Sequence, residues 1–278
     1  MKRAWTQFAC ILCCCLVYSF PGLAALPKNN PVPGGVLVID LGKKSEPRPI
    51  IRFGDRPVYI ARGETHWTAI VGLPQDILPG KYILTFKDAI NRKTKKTFRV
   101  QSLPADLRQR IVVLPKNLDL LEFHPHEPST LDILWNERDS QEHAEPPGYE
   151  YRQIISSGSY IPYGWIVSSR SPDILIEHSW ITYITEPDTL VYSPSAALVE
   201  QTFLSANSGM TVILNHGNGM KSVISNLDST RLKPGETIDP GSVIGTVNHI
   251  EALSIGRVDW LVALNGYGIN PLQFTASP

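Results

Sequence analysis

Cysteine occurs at only four positions, Cys10, Cys13, Cys14 and Cys15, and none follows. From residue 16 onward no disulfide can form, and no thiol nucleophile or cysteine-held metal is available. Neither sign of charge is in excess, with 26 Lys and Arg against 26 Asp and Glu. That balance offers neither the footprint of a nucleic-acid binder nor that of a polybasic membrane reader. Long apolar runs are missing too. The one candidate, Phe8 to Phe20, is shorter than the roughly 20 residues that cross a bilayer. No Gly-x-Ser-x-Gly elbow marks a serine hydrolase, and no Walker-type loop marks a nucleotide site.

What is present begins with an export signal. Lys2 and Arg3 precede the apolar run, and Gly22 and Ala24 place cleavage after Ala24. Residues 1–24 are then a signal peptide, and the mature protein is expected in the periplasm with no membrane span left. A lipid-anchor reading of Leu12 to Cys15 fits less well, because Cys13 and Cys14 are poor residues before a modified cysteine. Loss of Lys2 and Arg3 leaves 24 basic against 26 acidic residues.

With 23 Pro and 20 Gly among short apolar runs, the chain reads as all-β. Strand candidates follow one another at 36–41, 50–53, 58–61, 68–71, 81–87 and 97–101. Asp55-Arg56-Pro57, Arg62-Gly63 and Leu78-Pro79-Gly80 separate them. This spacing predicts a small Ig-like sandwich over residues 25–103. Residues 104–157 read as a connector, with a helix capped at Ser129-Thr130 and running to about Ala144. His124-Pro125-His126 is the one His-x-His, but the proline and the absence of a nearby third ligand favour a solvated linker over a metal site.

Val212 to Leu227 (VILNHGNGMKSVISNL) organises the remainder. Two apolar runs flank Asn215-His216-Gly217-Asn218-Gly219, a strong hairpin signal, and their alternation predicts strands buried on one face. Here the chain resembles the LytM/lysostaphin-type zinc endopeptidases, which cut peptidoglycan cross-bridges. The likeness continues through Ser159 to Gly164, Asp188 to Pro194, Leu232 to Gly245 and Val258 to Phe274. It implies a C-terminal β-sheet domain over residues 158–278, of the duplicated hybrid motif or barrel-sandwich hybrid kind. It also likens the N-terminal sandwich to the small β domain that precedes the peptidase domain in exported members.

In that family the zinc is held by His-x-x-x-Asp and by the second His of a late His-x-His. The first His of that pair and a further His assist catalysis. The corresponding positions here are His178 and Thr182, then Asp259, with Arg257 and Asn226 at the assisting positions. His178 alone is retained as a possible ligand. Alternation places His178 and Thr182 on one strand face, and likewise Arg257 and Asp259. Val258, Trp260, Val262 and Leu264 then face the core. A guanidinium about 5 Å from a divalent cation repels it by roughly 6–7 kcal/mol at an effective dielectric near 20. Neither Asn226 nor Arg257 shuttles protons near neutral pH. The expectation is therefore no catalytic residue and no zinc, with Arg257 either taking the metal's place beside Asp259 or extending its charge into solvent. His216 reads as structural, and His66, His143 and His249 show no partners.

By the resemblance, members with ruined sites act as binding modules that activate peptidoglycan amidases. The expected partner is such an amidase or peptidoglycan itself. Two rival readings stay open. One is an active zinc metallopeptidase using His178, Asp259 and an atypical third ligand. The other is a silent peptidoglycan-binding scaffold.

Overall fold

The computed structural model describes residues 26–43, 48–63, 65–87, 92–104, 111–113, 150–168, 175–206 and 208–275. The signal peptide, the helix expected to end near Ala144, His124, His126 and His143 lie outside them.

Seven strands build the N-terminal sandwich: β1 (Val36–Lys43), β2 (Ile50–Phe53), β3 (Arg56–Pro57), β4 (Tyr59–Arg62), β5 (His66–Gly72), β6 (Gly80–Lys87) and β7 (Lys93–Val100). One sheet runs β1-β5-β4 and the other β3-β2-β6-β7. Leu37, Ile51, Ile60, Val71, Leu84 and Phe98 close the core between them. The Ig-like expectation is met, with β1, β5, β6 and β7 longer than read and β3 lying where Asp55-Arg56-Pro57 was read as a separator. β7 begins at Lys93, not Thr97, because Lys-Thr-Lys-Lys sends its lysines at 93 and 95 to solvent while pairing regularly with β6. His66, read as without a partner, lies 2.7 Å from the Thr65 hydroxyl.

The connector carries a strand that the sequence reading did not place. Its β8 (Ile111–Val113) pairs in parallel with β10 (Ile166–Ser168), which also pairs with β11 (Leu175–Glu177). β9 (Ser159–Ile161) joins the edge of the large C-terminal sheet. Its further members are β12 (Ile181–Thr185), β13 (Leu190–Tyr192), β14 (Ala197–Ser205), β15 (Gly209–Gly217), β16 (Met220–Ser229), β17 (Thr237–Ile238), β18 (Val243–Val247), β19 (Gly256–Leu264) and β20 (Tyr267–Ile269). The main order is β17-β14-β15-β16-β19-β12-β9, with β18 on β13 and β16, and β20 on β19.

The predicted hairpin is β15–β16. Asn218 and Gly219 carry φ of 54° and 76°, the two consecutive left-handed residues of a tight hairpin turn. The strands are not buried on one face as expected, since β16 is buried from Met220 to Leu227 and β19 throughout. Both faces are covered. Val212, Leu214, Ile224, Val258, Trp260, Val262 and Leu264 pack on one side. Ile213, Val223, Leu261 and Ala263 pack on the other, with Trp180 and Ile161. Lys221 is wholly buried among the second set, its Nζ 2.8 Å from Glu200 Oε1.

The sandwich docks at the Leu264–Ile269 end of β19 and β20. Val36, Tyr59 and Ile70 join the same core cluster as Trp260 and Leu264. A Cβ on Gly72 would stand 2.6 Å from the Leu264 carbonyl oxygen, so the backbones approach as closely as glycine permits. Arg56 donates to the Gly266 carbonyl and stacks on the Tyr267 ring, 4.4 Å from its centroid. Leu264 is five residues from Asp259, about 17 Å along the strand.

His216 lies within β15 and not in the turn. Trp260 Nε1 donates to Ser222 Oγ at 3.2 Å, and Ser222 donates to His216 Nε2 at 2.9 Å. His216 Nδ1–H donates to the Ala196 carbonyl at 2.9 Å. The relay holds the imidazole neutral. Burial pulls its pKa down from 6.5 to about 4, against the opposing pull of the Ala196 bond. The unfolded chain therefore binds this proton first as pH falls. Stability is full above pH 6.5 and declines toward about pH 4, by about 3 kcal/mol in total. Thermal melts across that window check this; His216→Gln should flatten the slope, and an unchanged slope contradicts the relay.

Candidate functional site

The site is centred on Asp259, on the central strand β19 and 3 % exposed. Its cross-strand neighbours are Thr182 on β12 and Ser225 on β16, so one sheet face carries all three. Thr182 Oγ1 donates to Asp259 Oδ1 at 2.5 Å. Arg257, two residues earlier on the same face, grips both carboxylate oxygens, with Nε 3.0 Å from Oδ1 and Nη2 2.6 Å from Oδ2. Asn226 Nδ2 donates to Oδ2 at 2.7 Å. Strict alternation would turn Asn226 away from Ser225's face. A φ of 60° kinks the chain there, a conformation asparagine tolerates better than most residues, and brings the amide to the carboxylate.

His178 joins through Thr182, its Nε2 2.9 Å from Oγ1 and its Nδ1 3.2 Å from the Pro162 carbonyl. It is not a strand residue sharing Thr182's face, since β12 begins only at Ile181. The loop ahead of β12 is pinned instead by His178 N to the Trp165 carbonyl and Gly164 N to the His178 carbonyl. Thr182 has one hydroxyl proton, which goes to Asp259, so its oxygen must accept from Trp180 Nε1 at 3.1 Å and from His178 Nε2. The His178 ring nitrogens thus lie against two oxygens, the Pro162 carbonyl and the Thr182 hydroxyl.

The five residues picked out by motif spacing therefore meet in space. Trp180 was not among them, although it stands two positions before Thr182. The Asn248 side chain, which receives Arg257 N–H at 2.9 Å, had no motif signal at all. Ser225 Oγ is buried without a hydrogen-bond partner.

Burial, the largest single influence, pushes the Asp259 pKa up, and the Arg257 charge opposes it. Hydrogen bonds from Arg257 and Thr182 and the charge of His178 add to that effect, and together they hold the carboxyl below its ordinary 3.8. The carboxylate is the settled form, and every lobe of it is engaged. Zinc, which the family resemblance implies, does not fit this donor set. His178 presents an N–H toward the site, Thr182 is a neutral hydroxyl, and Asp259 is saturated by a guanidinium and two further donors. Among the described residues no group of three His, Cys, Asp or Glu side chains gathers to hold a metal.

Arg257→Ala would leave a buried carboxylate short of its main partner, at a cost of about 3–5 kcal/mol in denaturant unfolding. Replacing Arg257 and Asp259 together by Met and Leu should cost less than the single change. Because the Asp259 pKa is depressed by folding, its stabilisation is present above pH 3.8 and disappears as pH falls through the lower folded value. Asp259→Asn should remove that acid-limb contribution, and an Arg257→Ala melt equal to the wild type would refute the ion pair's role.

Comparison with known proteins agrees with this architecture. The Peptidase family M23 N-terminal domain matches residues 29–102, and Peptidase family M23 matches residues 177–271. A structure assigned to peptidase M23 from Pseudomonas aeruginosa is 25 % identical, over 88 % of this chain and 95 % of that one, with a TM-score of 0.64. The catalytic domain of lysostaphin from Staphylococcus simulans is 15 % identical over 42 % of this chain and 91 % of its own, with a TM-score of 0.36. A chain of a SpoIIIAH–SpoIIQ complex is 16 % identical over 44 % and 97 %, with a TM-score of 0.37. No curated protein matches. With both domains matched in their order along one chain, and a structure assigned to peptidase M23 aligned over 88 % of it, the protein belongs to peptidase family M23.

Proposed function

We propose that this M23 protein does not hydrolyse peptidoglycan and acts in the cell envelope as a binding or regulatory module for peptidoglycan hydrolases, activating an amidase. The observation that carries the first half is the saturated Asp259 carboxylate. A metallopeptidase needs that position to give a lone pair to zinc and an open coordination site for water. Here the same position gives its lone pairs to Arg257, Thr182 and Asn226. The assisting positions hold Arg257 and Asn226, which neither take up nor release protons in the working pH range.

The second half rests on the family relation and on what surrounds the ionic centre. Trp165, Phe203, Ile250, Leu253 and Ile255 are half-buried against the core on the Asp259 face. Half-buried apolar side chains around a chemically silent centre suit a protein partner better than a cleaved peptide.

The purified chain should contain no stoichiometric zinc and release no fragments from sacculi. About one zinc per chain, held by His178, would overturn the reading. Writing the family pattern back with Thr182→Asp, Arg257→His and Asp259→His should restore zinc uptake if only the donors have been lost. Amidase stimulation should fall at least tenfold on Phe203→Asp or Leu253→Asp, with circular dichroism unchanged. Retention by sacculi without any effect on amidases would assign the scaffold role instead.

A further inference from the structure

The outer face of the four-stranded sheet has no part in the proposed function. Its register brings Lys81 opposite Arg99 and Lys87 opposite Lys93, with Lys95 between them on β7. All five side chains are exposed, and none of these side chains has a hydrogen bond or ion pair among the described residues. No carboxylate occupies an outward position of β2, β6 or β7. Like charges set directly opposite across an antiparallel pair work against the sheet they decorate. This face has two such pairs, and no acidic side chain among the described residues of β2, β6 or β7 relieves them.

Two large apolar side chains share that face. Ile83 is 58 % exposed and stands on β6 between Lys81 and Lys87, and Ile50, 77 % exposed, is the cross-strand neighbour of Lys87 on β2. We propose that this face is a docking surface for the headgroup region of an anionic lipid bilayer. Cations flanking exposed isoleucines match a surface that is anionic at the headgroups and apolar just beneath them. A soluble polyanion would gain nothing from the isoleucines. Single-stranded nucleic acid would find no aromatic ring to stack on, since Tyr82, Phe86 and Phe98 alternate to the inner face. Lysines on an edge strand also guard against strand pairing, and β7 is an edge. That explanation reaches neither Lys81 and Lys87 on the interior strand β6 nor the two isoleucines.

The test is co-sedimentation of the full chain with vesicles of phosphatidylcholine, with and without phosphatidylglycerol, at low and high salt. Binding should require phosphatidylglycerol and weaken with salt. Each lysine near such a surface contributes about fivefold, so Lys93→Glu with Lys95→Glu should lower the affinity at least ~25-fold. That variant should melt no lower than the wild type, because a carboxylate at position 93 faces Lys87. Ile83→Ser should lower vesicle affinity about fivefold and leave binding of inorganic polyphosphate unchanged. Equal binding to neutral vesicles that ignores the lysine changes would assign the effect to the N-terminal apolar stretch and overturn the proposal. So would indifference of vesicle binding to Ile83→Ser, which would mark a general polyanion site. Absence of vesicle binding, with self-association of a Lys93→Thr, Lys95→Thr variant, would reduce the lysines to guards of the edge.

Discussion

A carboxylate taken out of water must be neutralised and hydrogen-bonded, or the fold around it fails, and at Asp259 the C-terminal domain meets that requirement internally. The donors come from separate stretches of chain: Arg257 on β19 itself, Thr182 on β12, Asn226 at the kink of β16, and His178 one bond further out through Thr182. One buried anion thus registers three adjacent strands and the loop that enters the second of them. A metal ion does the same for its ligands, but it is diffusible and acidifies water. A guanidinium is covalently part of the chain and supplies the positioning alone.

Much of this was legible in the sequence because strands have a period of two. Arg257 and Asp259 had to share a face, and Val258, Trp260 and Val262 had to share the other, whatever the tertiary structure. The Asn218-Gly219 turn was equally local, since few residue pairs accept two positive φ angles in succession. What the sequence hid was non-local. Asn226 reaches Asp259 only through a left-handed kink that reverses its expected side. His178 reaches it from a loop whose path is set by backbone bonds to Trp165. The double-sided burial of β15, β16 and β19 could not be read from alternation, because Lys221 and Asp259 are buried with partners on one face and imitate a solvent face.

Overall charge misleads in a related way. A chain with equal numbers of acids and bases appears indifferent to anionic surfaces. Yet pairing of β6 with β7 collects basic side chains from distant positions onto one face and leaves the acids elsewhere. Net charge is a sum, and a sheet is a sorting device that acts before any partner arrives.

The glycine contact at Gly72 bears on how such a protein can change over evolutionary time. Two domains joined by a tether can be shuffled, duplicated or lost one at a time. Here the backbone of β5 lies against that of Leu264 with no side chain between them, and Val36, Tyr59 and Ile70 share one cluster with Trp260. A sandwich borrowed from elsewhere would bring a Cβ to that contact, or leave the Leu264–Ile269 end of the peptidase sheet bare. A substitution at that contact therefore has to be matched on both sides of it.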